Sequence, residues 1–381
     1  VEAASRLVAD AEQRFNARLA EHGIAPPPSR AERAAAAREA KERRQLEQAE
    51  RTAGKKRKAQ ARVDHEGRAL PPLPLVTRPI LWHEPEADVV LSAMRIFPRS
   101  HPWNEDISTR PVHPVSSAML ERLGDAPLQI HYGGNFIIVP PGQPLVPVAL
   151  EYVGESDPGP YPLPDNSPIE SWGAWWEKQP DLATVQRAGE GDRHVIILDP
   201  HNQELIEFFH MFRTDAGWTG TCAARFRLDS NAMRPDRWTS ADASGMAMFP
   251  GYIRHDELER GVIEHALRVT MRQTRREYIY PASHWAATSD DPLLPAMGQR
   301  FRLKASYDIS RFAPHARVVA AALQTYGMLV ADNGETLAVG AMLDRRIDDG
   351  AMKSLDVIRT SDFEVVLTTG PEEGPRAPGA R

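Results

Sequence analysis

Residues 195–209 read VIILDPHNQELIEFF. Two apolar runs, 195–198 and 205–209, flank Asp199, Pro200, His201 and Asn202, residue types that turn a chain, so the stretch predicts a β-hairpin. Runs of the same kind recur on both sides of it, at 89–97, 128–132, 135–139, 146–153, 221–228, 263–271, 301–306, 328–331 and 363–368. Thirty-three prolines against eleven phenylalanines add many strand ends and turns, because proline neither donates to a ladder nor continues a helix. Two helices interrupt the pattern, at 116–123 and 314–326, each followed by a glycine, Gly124 and Gly327. The reading is a mainly β fold, β-sandwich or jelly-roll-like, with a few short helices. Gly133 with Gly134 reads as a tight turn, Asp332-Asn333-Gly334 as a second hairpin, and Arg300, Arg302 and Lys304 as a ladder on one strand face that is either solvated, the first reading, or facing acidic groups.

Outward from this core the composition changes. Ala4, Leu7, Val8, Ala11, Phe15 and Leu19 form an apolar helical stripe, Pro26, Pro27 and Pro28 break it, and Ser29 with Glu32 opens a second helix over 30–62. Glu39 precedes Arg43 by four residues, as Glu47 does Arg51, the favourable order for ion pairs along a solvated helix. The domain expectation is therefore a charged helical arm at 1–69, a proline-rich linker at 70–80, one β-rich globular domain at 81–369 and a disordered tail at 370–381. Through Arg68 the net charge is +5, against −6 for the whole chain, so the remainder carries −11. An acidic body excludes extensive phosphate contact, and no nucleic acid is expected on the globular domain. The arm, with Lys55, Lys56, Arg57 and Lys58, is expected to self-associate or to contact polyanions. Nothing approaches the roughly 18 apolar residues of a membrane span. The single cysteine, Cys222, excludes an intrachain disulfide framework and reads as a small buried apolar residue.

The polar loops carry the candidates for chemistry. Asp229 to Glu257 forms the longest, and within it Asp242 and Glu257 are the candidate catalytic pair, since glycoside hydrolysis uses two carboxyl groups about 5–9.5 Å apart. Trp238 offers a stacking face and Arg254 a fork of donors for a hydroxyl or an acidic group. Asp192 and His194 flank Arg193 at a strand entrance, where alternation sends the pair to one face, and a carboxylate there can fix the imidazole tautomer for acid–base work. Asp157 and Tyr161 lie in a proline-stiffened loop, and His284 with Trp285 ends a strand; these are candidate binding residues. His131, His194, His265 and His284 lack zinc-site spacing, so no metal and no cofactor is expected, and a metal-dependent enzyme requires histidines that converge in space.

Seven blocks, 155–164, 191–199, 230–257, 264–271, 281–285, 295–310 and 326–334, together resemble a group of uncharacterised bacterial proteins, many of them exported or cell-surface associated. The resemblance spans about residues 96–334, excludes the arm and implies an extracytoplasmic or cell-surface location rather than a chemistry. His255, before Asp256 and Glu257, and Arg225 with Phe226 depart from the pattern of the group. The function expected is a carbohydrate-active protein that meets a poly- or oligosaccharide, as a glycoside hydrolase through Asp242 and Glu257. The alternatives are a noncatalytic surface, adhesion or glycan-binding module, and a metal-dependent enzyme.

Overall fold

The computed structural model describes residues 69–367 except Glu177 and Gln179. The expected arm up to residue 68 and the tail from residue 370 lie outside the described residues. Among the described residues the fold is mainly β, with fourteen strands in three mixed sheets and short helices between them. The strands are β1 (Ile80–Leu81), β2 (Gln129–Gly134), β3 (Ile137–Ile138), β4 (Val148–Leu150), β5 (Val195–Asp199), β6 (Glu204–Phe209) and β7 (Phe212–Thr214). They continue with β8 (Gly217–Gly220), β9 (Cys222–Arg227), β10 (Leu267–Met271), β11 (Arg300–Leu303), β12 (Met328–Asn333), β13 (Ala338–Met342) and β14 (Phe363–Val366). The helices are α1 (Pro85–Ser92), α2 (Ser116–Leu123), α3 (Leu182–Arg187), α4 (His255–Arg260), α5 (Pro314–Thr325) and α6 (Asp349–Lys353). No described helix is long and apolar enough to cross a membrane.

The hairpin predicted over 195–209 forms as β5 and β6, in the register Val195↔Phe208 to Asp199↔Glu204. Its turn is held by Asp199, which accepts from the Asn202 backbone N–H at 2.9 Å and side-chain amide at 2.7 Å. These strands sit in the sheet β1-β3-β5-β6-β9, which is buried on both faces. Ile138, Ile196, Leu198, Leu205, Ala224 and Phe226 face a core shared with the six-stranded sheet β14-β11-β12-β10-β13-β2. Ile137, Val195, Ile197, Ile206, Phe208 and Ala223 face a second core closed by Trp218 of β8, with Val148 and Leu150 of β4 packed against it. Burial of both faces explains the unbroken apolar run in β5, where alternation would mark a half-solvated strand.

Four expectations are corrected. Residues 89–97 are not a strand: Pro85 opens α1, Glu86 and Asp88 occupy its first turn, and burial falls on Ala87, Val90 and Leu91, a helical spacing. Asp332-Asn333-Gly334 turns the chain but makes no hairpin, because β10 lies between β12 and β13 and pairs with both. Gly133 and Gly134 are the end of β2 rather than a turn, and a Cβ on Gly134 would meet the Tyr252 ring at 2.9 Å. Arg300 and Arg302 are 2% and 6% exposed: Arg300 donates to the Pro102 carbonyl, and Arg302 grips Glu364 at 2.8 and 2.5 Å. Cys222 is fully buried, as expected.

Candidate functional site

The 229–257 segment carries no strand, yet from Ser240 to Leu258 nearly every residue is buried. Its two candidate catalytic carboxylates have separate, internal partners. Asp242 accepts a two-pronged grip from Arg268 on β10, Nε to Oδ2 at 2.6 Å and Nη2 to Oδ1 at 2.7 Å. Glu257, in the first turn of α4, meets Arg254 Nη2 at 2.5 Å and His265 Nε2 at 3.1 Å. The sequence placed both on the wall of an accessible groove; instead each is about 2% exposed or less and its charge is spent on a buried cation. Burial opposes ionisation of Glu257, but Arg254 and His265 hold its carboxyl below the usual range. Burial likewise opposes the charge on Arg268, and Asp242 overcomes it, raising the guanidinium well above its ordinary value. A hollow of about 40 Å³ lined by Arg254, Glu257 and His265 has room for a water molecule, not a sugar ring.

The remaining candidates divide. Tyr161 is wholly buried, packed edge-on against Phe208 at 4.9 Å with its hydroxyl donating to the Asp157 carbonyl, so it is core rather than a stacking platform. Burial pushes its hydroxyl up to about 12. Asp157 accepts from Arg234 and from the Arg225 N–H at 2.8 Å, and Arg254 holds Asp256 as well as Glu257. Trp238 lies under the Arg234 guanidinium, 5.4 Å from the ring centre, while Trp285 stacks on Tyr278 and His284 contacts the Ala243 carbonyl through Nδ1. These side chains knit the 229–257 and 281–285 loops together, as the bond from Ser283 Oγ to the Trp238 carbonyl does.

Asp192 and His194 do converge, with a third residue that sequence reasoning missed. Glu170, from the segment between β4 and α3, places Oε2 2.8 Å from His194 Nδ1, and its backbone N–H donates to the His194 carbonyl. Burial would lower the imidazole, but the Glu170 carboxylate beside it prevails and raises it to about 9, while Glu170 itself is held low. Strand alternation is not what joins Asp192 to His194. Arg193 between them has φ 53°, and its guanidinium is pinned by the carbonyls of Val185, Gln186, Ala188 and Met211. Near this trio burial pushes Asp332 and Glu207 each up to about 7, with Asp242 adding repulsion. Three histidines do not converge among the described residues.

An open cleft lies elsewhere, between β2 and α6. It holds about 560 Å³ and is lined by His131, Tyr132, Trp175, Trp176, Asp349 and Lys353 among others. Tyr132 meets Trp175 edge-on at 5.5 Å, Trp175 meets Trp176 at 5.0 Å, and Trp176 is 54% exposed. The Tyr132 hydroxyl is buried without a hydrogen-bond partner among the described residues, and burial beside Asp349 and Asp348 holds it protonated. Trp175 and Trp176 were visible in the sequence as a tryptophan pair, but nothing local tied them to β2. No protein-family model, no curated protein and no solved structure matches this chain.

Proposed function

We propose that the protein is a glycan-binding module whose ligand lies in the cleft between β2 and α6. The observation that carries this reading is the exposed aromatic face of Trp176, continued by Trp175 and Tyr132, in a hollow of about 560 Å³. That volume is in the range of small-ligand sites, roughly 300–1,000 Å³. Aromatic faces take up the apolar C–H face of a sugar, while Asp349, Asp356 and Lys353 meet its hydroxyl groups. A surface or extracytoplasmic setting, as implied by the resemblance, would present such a cleft to polysaccharide. The two larger sheets, which share one apolar core, would be the halves of a β-sandwich carrying it.

Binding is preferred to hydrolysis through Asp242 and Glu257 because a hydrolytic pair has to face one substrate, whereas these two face Arg268 and Arg254. The test is a panel of poly- and oligosaccharides assayed by calorimetry and by reducing-end release, with Trp176→Ala and Asp242→Asn beside the parent chain. Binding without turnover, weakened about tenfold or more by Trp176→Ala, supports the reading; loss of one base-stacking-sized aromatic contact is worth about 1–3 kcal/mol. An absence of binding across the panel, or affinity unchanged in Trp176→Ala, overturns it. Turnover abolished by Asp242→Asn in a folded variant returns the hydrolase.

A further inference from the structure

We infer that Glu170, Asp192 and His194 form a binding site for one divalent transition-metal ion. One ligand atom from each lies within 4.8 Å of the others, an imidazole nitrogen and two carboxylate oxygens. That donor set suits Mn²⁺ and Zn²⁺. The second ring nitrogen of His194 decides which atom is on offer. Nε2 lies 2.9 Å from the Ala241 carbonyl, which can only accept, so Nε2 carries a proton and Nδ1 turns toward Glu170. A carbonyl that fixes the ring in this way is the usual outer partner of a metal-bound histidine. On binding, the metal takes the place of the Nδ1 proton, which leaves to solvent.

The three ligands are held in advance and reachable. His194 is 5% exposed, Glu170 is partly exposed, and Asp192 is exposed, which leaves a solvent side for the ion and for its remaining water ligands. The left-handed Arg193 swings Asp192 and His194 toward one point, and the four carbonyls around its guanidinium keep that conformation. A strained residue so firmly braced is a common companion of a ligand site. The surroundings also favour a cation. Arg268 acts on Glu170 and His194, and Asp242 and Asp332, which both contact its guanidinium, offset part of that positive charge.

The experiment uses the full chain, stripped with chelator and dialysed, in the absence of carbohydrate. Mn²⁺ is titrated with the free-ion signal read by electron paramagnetic resonance, and Zn²⁺ by calorimetry, for the parent, Asp192→Asn, Glu170→Gln and Trp176→Ala. One equivalent should bind, thermal stability should rise on saturation, and Asp192→Asn and Glu170→Gln should each weaken binding by about tenfold or more. Because Asp192 is exposed, its variant should match the parent in melting temperature without metal. Trp176→Ala should bind metal like the parent, which separates this site from the proposed glycan cleft. Absence of a bound equivalent at about 1 mM Mn²⁺ and Zn²⁺, or full affinity in both Asp192→Asn and Glu170→Gln, overturns the assignment.

Discussion

Replacing Asp242 by asparagine tests whether this carboxylate is structural. Its side chain is fully buried and that of Arg268 is 10% exposed, with two hydrogen bonds at 2.6 and 2.7 Å. Two unit charges about 4 Å apart attract by roughly 4 kcal/mol at an effective dielectric constant near 20. Removing one partner leaves Arg268 buried with Asp332 at 3.5 Å as its remaining acidic contact among the described residues, and breaking such pairs costs about 3–5 kcal/mol. The asparagine can still accept one bond, so we expect a loss near the lower end, about 3 kcal/mol, read as a lower urea midpoint at unchanged slope. At about 2–4 °C per kcal/mol, the melting temperature should fall on the order of 10 °C. Arg268→Met in the same chain should restore part of the loss, with a coupling of about 1 kcal/mol or more, because the orphaned charge is then gone. A loss below about 0.5 kcal/mol, the scale of a neutral surface change, would refute the reasoning and free Asp242 for another role.

Glu207, buried in β6 and pushed up to about 7, accepts from the Met248 and Phe249 N–H groups. Its folded value lies above its unfolded one, so its contribution is complete below about 4.3 and is lost as pH rises through 7; Asp332 titrates in the same direction. Urea melts between pH 5 and 8 should therefore show declining stability, and a flatter profile in Glu207→Gln. Gly340→Ala would set a Cβ 2.8 Å from the Tyr252 ring, which should cost about 1–3 kcal/mol by thermal denaturation; a neutral effect would mean that the ring can shift. The Cys222 thiol, raised by burial, should react with a thiol reagent only after unfolding, and native labelling at the free-cysteine rate would contradict its packing.

The strands were legible wherever their signal was local. The β5–β6 hairpin, β2, β9, β12 and β14 each follow apolar runs bounded by turn residues, and α2 was read to its last residue. What failed had two solutions locally. Val89-Val90-Leu91 fits a strand by propensity, and only the burial of Ala87, Val90 and Leu91 on one face makes it helical. The Asp332-Asn333-Gly334 turn was recognised, but insertion of β10 between its strands is a long-range choice that no turn residue encodes.

By itself the sequence determined a mainly β body, the β5–β6 hairpin, a buried cysteine and a wealth of charged loop residues, because periodicity, turn chemistry and composition act over a few neighbours. Tertiary structure alone decided which of those charges remain free. Asp242 and Glu257 look identical to any open carboxylate in the chain, yet each meets an arginine and becomes scaffold. Glu170 and His194 lie twenty-four residues apart and meet at 2.8 Å. The availability of a charge depends on what folds against it, and that partner is set by packing across the whole domain.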